Sequence, residues 1–131
     1  MTTEKINEQI EEVMKNSLVE FSKELKVPLN KFRIKMRFDK NGEPICIAMN
    51  ENIDLQEIHW RKILGLMLFV FKGTITDFIK DKLNSFSEEN NIDKESINIK
   101  FFAVKMDGTP NARFCNNNKT ISEIDINNFI V

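Results

Sequence analysis

The sequence predicts an α+β fold: two β-hairpins forming a mainly antiparallel four-stranded sheet, packed against a long central helix and an N-terminal amphipathic helix. Three observations predict it. An apolar stripe recurs at three- and four-residue steps through residues 3–26. Residues 31–38 alternate strictly between apolar and basic. Asn41-Gly42 and Asp107-Gly108 each stand between runs of strand character, the strongest short-range hairpin signal. A chain of 131 residues can bury one core and is too short for two, and no Pro- or Ser-rich linker divides it, so residues 1–131 read as a single domain.

The stripe of the first helix is Ile6, Ile10, Val13, Ser17, Phe21 and Leu25, with Met14 and Leu18 beside it. Glu4, Glu8, Glu11 and Glu12 come early and Lys23 and Lys26 late, as the helix dipole favours. Pro28 stops it. In the first strand Phe32, Ile34, Met36 and Phe38 take one face and Lys31, Arg33, Lys35 and Arg37 the other. After the turn at 39–44 the chain returns through Ile45, Ile47 and Met49, with Cys46 and Ala48 expected beside the basic row. Asp54 and Glu57 have the spacing of a capping box, which opens a helical segment expected over about 55–88. Its middle, Ile63–Phe71, is apolar on every side. Gly73, followed by Thr74 and Asp77, is a candidate break, and Ile75, Phe78, Ile79, Leu83 and Phe86 form a second stripe.

A third strand is expected over 96–106. It is apolar on both faces, which suits a central strand. Ala112–Cys115 is a short fourth strand. The tail from Lys119 suits a strand through Ile124 and Ile126, or a short helix through Ile121, Ile124 and Phe129. The two hairpins share an Asp, a Gly and a Pro in the turn and a Cys on the returning strand, so a duplicated α-β-β unit is a second way to read the chain.

Composition excludes several classes. Net charge is −1, so the molecule as a whole is not a polycation shaped for phosphate backbones. Apolar residues make up 41% and charged residues 30%, which excludes a disordered chain. Nine apolar residues at 63–71 cannot span a bilayer, which needs about 20 in a helix. Lys, Asn, Ile and Phe dominate while Ala and Arg are scarce, the mark of AT-rich coding in a low-GC bacterium, its phage or its plasmids. Cys46 and Cys115 with a charged N-terminus imply a reducing cytoplasm and two buried thiols.

The search for chemistry returns no catalytic, cofactor-binding or metal-binding residues. One His and two isolated Cys do not make a zinc site. Cys46 sits among apolar neighbours that keep a thiol inert, and His59 stands at a helix start beside Trp60 and Arg61. Four scattered glycines form no phosphate loop. What remains is one charged constellation and one apolar one. Lys31, Arg33, Lys35 and Arg37 project to one side about 7 Å apart, either a docking row for an acidic partner or nucleic acid, or a charged guard on an edge strand. Ile63, Leu64, Met67, Leu68 and Phe71 are candidates for a helix buried across a homodimer axis.

The expectation is a non-enzymatic, cytoplasmic binding protein without a cofactor, acting through protein–protein contacts: an adaptor, inhibitor or immunity-type module, encoded by a phage or other mobile element. The first alternative is a nucleic-acid-binding protein using Lys31, Arg33, Lys35 and Arg37. The second is a small-ligand-binding or virion assembly component.

Overall fold

Six segments become strands in the computed structural model of the protein, which describes the backbone of residues 2–64 and 67–129 and the side chains of 2–63 and 77–129. In chain order the elements are α1 (Thr3–Glu24), β1 (Phe32–Phe38), β2 (Pro44–Asn50), β3 (Ile53–Ile58), α2 (Trp60–Leu64), α3 (Met67–Asn90), β4 (Ile97–Ala103), β5 (Pro110–Asn116) and β6 (Lys119–Ile124). Short 3-10 turns lie at Lys94–Ser96 and Ile126–Asn128. The strands form one antiparallel sheet in the order β3-β2-β1-β4-β5-β6. The α+β class is as expected, with six strands instead of four.

The two additional strands are the sheet edges. The helix expected over 55–88 gives way to β3, and Asp54 faces Lys35 across the sheet instead of capping a helix. Gly73 lies within α3, which starts at Met67. The tail becomes β6 and then a single 3-10 turn. The reason is physical. An edge strand pairs on one side and buries little of its own pattern: Ile58 is the one buried residue of β3, and Ile124 that of β6. Alternation is therefore faint in both segments, and local capping chemistry misleads.

One face of the sheet carries the core. Phe32, Ile34 and Met36 of β1, with Ile97, Ile99 and Phe101 of β4, meet Ile10, Met14 and Leu18 of α1 and Ile79 of α3. Each of these large side chains contributes about 1.5–3 kcal/mol by leaving water. Ser17 Oγ donates to the Ile63 carbonyl at 3.0 Å, tying α1 to α2. Asn7 Nδ2 donates to the Asn127 carbonyl, also at 3.0 Å, tying α1 to the C-terminal turn.

The backbone repeats. Each half is a helix followed by a three-stranded meander, one strand longer than the α-β-β unit read from the hairpins. Both helices end in the same way: Lys26 and Asn91 take positive φ (59° and 53°), and Val27 and Ile92 donate back to the carbonyls of Ser22 and Ser87 at 3.0 Å. Gly42 and Gly108 occupy the first hairpin turns at φ 81° and 93°, and Glu51 and Asn117 the second at 53° and 55°. A bulge falls at Ala48/Met49 against β3 and at Phe114/Cys115 against β6. By this correspondence of caps, turns and bulges, Lys35 is the counterpart of Lys100, Asn52 of Asn118 and Glu57 of Glu123. Lys35 and Lys100 are also direct register partners where the halves join, so a pseudo-two-fold axis passes between them.

Candidate functional site: the concave sheet face

Among the described residues no helix lies over the second face of the sheet. Register sets its residues. Arg33, Lys35 and Arg37 of β1 stand opposite Met49, Ile47 and Ile45 of β2. This corrects the expectation that Cys46 and Ala48 flank the basic row: those two pair with Met36 and Ile34 and belong to the helix-covered face. It also removes the edge-guard reading, because β1 is central, between β2 and β4.

The face is not open. The β2–β3 and β5–β6 turns lie at diagonally opposite corners of the sheet, yet Asn118 Nδ2 donates to the Asn52 carbonyl at 3.3 Å. Both edge hairpins carry a bulge, and bulges increase strand twist, so the sheet coils until these corners meet over its second face. Lys100 is only 5% exposed as a result, and Met49, Phe102 and Cys115 are buried beside it.

Following the hydrogen-bonded register across the strands gives one row: Glu57, Ile47, Lys35, Lys100, Arg113, Glu123. Three cations thus stand side by side on β1, β4 and β5 at cross-strand spacings of about 5 Å, an arrangement that destabilises a sheet. Two are paired: Lys35 Nζ with Asp54 at 3.1 Å, and Arg113 Nε with Glu123 at 3.2 Å. Lys100 Nζ donates to the neutral Asn118 Oδ1 at 3.1 Å. Arg33, two residues from Lys35 along β1 and so on the same face, donates to the carbonyls of Asn30 and Phe32 at 3.0 Å. Its guanidinium and that of Arg113 lie 5.6 and 4.1 Å from the centre of the Phe102 ring. Neither Lys100 nor Arg33 meets a carboxylate within 4.0 Å among the described residues.

The electrostatics follow from this geometry. Burial pushes Lys100 below its ordinary value, and the charges of Lys35 and Arg33 push the same way, against Cys115 and Asp54. Burial and then Arg113 push Arg33 down, opposed by Glu51. Two buried amide oxygens on this face, Asn98 Oδ1 and Asn111 Oδ1, lack a hydrogen-bond partner. On this face lies a polar cavity of about 220 Å³ lined by Arg33, Glu51, Asn52, Lys100, Phe102, Arg113, Asn118 and Thr120.

The predicted basic row is thus divided. Arg33 reaches the cavity and Lys35 stands in the cross-strand row, while Lys31 sits at the exposed rim, 3.8 Å from Glu51. Arg37 is half-buried farther along β1. Sequence reading missed Lys100, Arg113, Phe102 and Asn118. The available signal was Lys100 itself, a cation in a strand otherwise apolar enough to be central.

Of the candidate dimer helix, Ile63 is buried within the chain's own core. The side chains of Leu64, Met67, Leu68 and Phe71 lie outside the described residues. Cys46, buried on the helix-covered face, is pushed up to about 12 by burial and then by the Glu57 charge. His59 caps α2, its Nδ1 accepting from the Arg61 amide at 3.2 Å. Among the described residues no group of three His, Cys, Asp or Glu could hold a metal ion, and no helix is long and apolar enough to cross a membrane. No family model, curated protein or solved structure matches the chain.

Proposed function

We propose that this is a non-enzymatic binding protein whose concave sheet face receives an acidic group presented by a partner protein. The observation that carries the reading is the row Lys35–Lys100–Arg113, with Lys100 buried and neither of the cavity's cations Lys100 and Arg33 meeting a carboxylate within 4.0 Å among the described residues. Like charges held side by side cost stability, and an anion from a partner would offset that cost.

Nucleic acid fits less well. Asp54, Glu57 and Glu123 flank the cations and would repel an extended phosphate backbone. The aromatic ring on this face, Phe102, is already covered by two guanidinium groups and offers no platform for a base. Fluorescence anisotropy with a labelled acidic peptide, a single-stranded oligonucleotide and a duplex tests the choice. The acidic peptide should bind with a shallow salt dependence, reflecting one or two ion contacts. Tighter oligonucleotide binding with a steep salt dependence, lost in Arg33→Ala and Arg37→Ala, would transfer the function to nucleic acid. Turnover of a substrate that dies with one side-chain change would overturn the non-enzymatic reading.

Self-association through the rest of the apolar run 63–71, with Ile63 taken up by the chain's own core, belongs to the same proposal and rests on the sequence alone. Light scattering should then give a mass near twice 15.4 kDa, whereas 15.4 kDa removes the dimer and leaves the concave site untouched.

A further inference from the structure

We propose that the cavity at the pseudo-two-fold axis is a phosphate-group site, with Lys100, Arg33 and Arg113 holding one phosphate monoester or free phosphate. This rests on the reading of the concave face as a binding surface and narrows it from any acidic group to one chemistry.

Charge argues for a dianion. Of the charged residues lining the cavity, Arg113 is matched by Glu123 and Glu51 by Lys31, both partners lying outside the lining. Arg33 and Lys100 are left over, two positive charges, and a phosphate monoester carries nearly two negative charges at neutral pH. Geometry argues the same way. The three cations come from three adjacent strands and line one cavity with several N–H donors, which suits the several oxygens of a tetrahedral group better than the two coplanar oxygens of a carboxylate. A cavity of about 220 Å³ holds one such group with water and has no room for a chain of them. The Asn118 amide, held between Lys100 and the Asn52 carbonyl, also lines the site.

The fold also places the strain where the ligand would relieve it. The buried ammonium of Lys100 lies beside two other cations, with one neutral oxygen as its described partner. Replacing a buried, poorly compensated charge by an apolar side chain of similar length is often stabilising. Lys100→Met should therefore melt higher than the parent protein in phosphate-free buffer and lose its response to phosphate. A residue with a merely structural role would not show this pair of opposite effects.

The experiment is thermal unfolding and calorimetric titration of the full chain with four probes: inorganic phosphate, acetate, a phosphoserine peptide and its glutamate counterpart. Millimolar phosphate should raise the melting temperature more than acetate at equal ionic strength. Lys100→Met should weaken phosphate at least tenfold, and Arg33→Gln should do likewise if Lys100→Met fails to fold. A phosphopeptide bound more tightly than free phosphate identifies a phosphorylated protein as the source. Phosphate bound as tightly as the phosphopeptide identifies a small phosphate compound, which keeps the site and overturns the partner-protein reading. Binding of the glutamate peptide without any response to phosphate overturns the phosphate site and leaves the acidic-partner reading standing. No response to any probe overturns both.

Discussion

Single residues on this scaffold are governed by what their neighbours do to charge and backbone. Asp107 is held near 2, first by the Thr109 hydroxyl and then by the Thr109 amide, with Lys15 3.6 Å away. Its folded value lies below its ordinary 3.8, so its contribution to stability is complete above about 4 and is lost as pH falls towards 2. An NMR titration should place its carboxyl midpoint near 2, and Asp107→Asn should flatten the acid limb of the stability curve over that window. Cys46 is held the opposite way, at about 12, so the thiolate that alkylating reagents need is scarce at pH 8. Iodoacetamide should leave Cys46 unmodified in the native protein and label it after denaturation; labelling at the rate of a free thiol would contradict its burial.

Glycine positions divide by what surrounds them. At Gly108, φ is +93° and an added Cβ would stand 2.5 Å from Val19 Cγ2 and 3.2 Å from the Lys15 carbonyl. At Gly42, φ is +81° but the obstruction is the far end of the Lys80 side chain, which can swing away. Gly108→Ala should cost about 1–3 kcal/mol in urea unfolding and Gly42→Ala distinctly less.

At the scale of elements, helix ends and bulges set the geometry that the site needs. Both long helices close with a non-glycine residue in the left-handed region, Lys26 after α1 and Asn91 after α3. Asn tolerates that conformation better than Lys does. Lys26→Gly should therefore stabilise the protein by about 1 kcal/mol in urea unfolding, and Asn91→Gly should change it less. The bulges, in which Leu55 and Ile121 are the extra residues, do more than bend the edges. They supply the coil that brings Asn52 and Asn118 together and encloses Lys100. This is why the site escapes a strand-by-strand reading: its residues come from β1, β4, β5, β6 and two turns, and a coiled sheet decides their proximity.

For the whole molecule, the join between the repeats is the central fact. Hydrogen bonds between β1 and β4 make one sheet of two meanders, and α1 packs across β1, β4 and β5. The halves share one core, so they should unfold together. Native-state hydrogen exchange should find the slowest amides in β1 and β4, with a single opening energy common to both; two separate energies for the two meanders would show independent halves.

Much of this architecture was legible in the chain because its signals are local. The stripe of α1, the alternation of β1, the two-sided apolar pattern of β4 and the turns at Gly42 and Gly108 are each written in neighbouring residues. The edge strands β3 and β6 were not, because an edge strand buries too little to impose a pattern. The basic strand was legible as a set of charges, but its setting was not. The sequence by itself determined the fold class, the helix α1, the hairpin turns at Gly42 and Gly108, and the alternation that puts Arg33 and Lys35 on one side. Tertiary structure alone decided that Lys100 and Arg113 stand beside them, that Ile45, Ile47 and Met49 share their face, and that the corners of the sheet close over them. Register and coil are properties of pairing between distant segments, and no run of adjacent residues encodes which strand lies next to which.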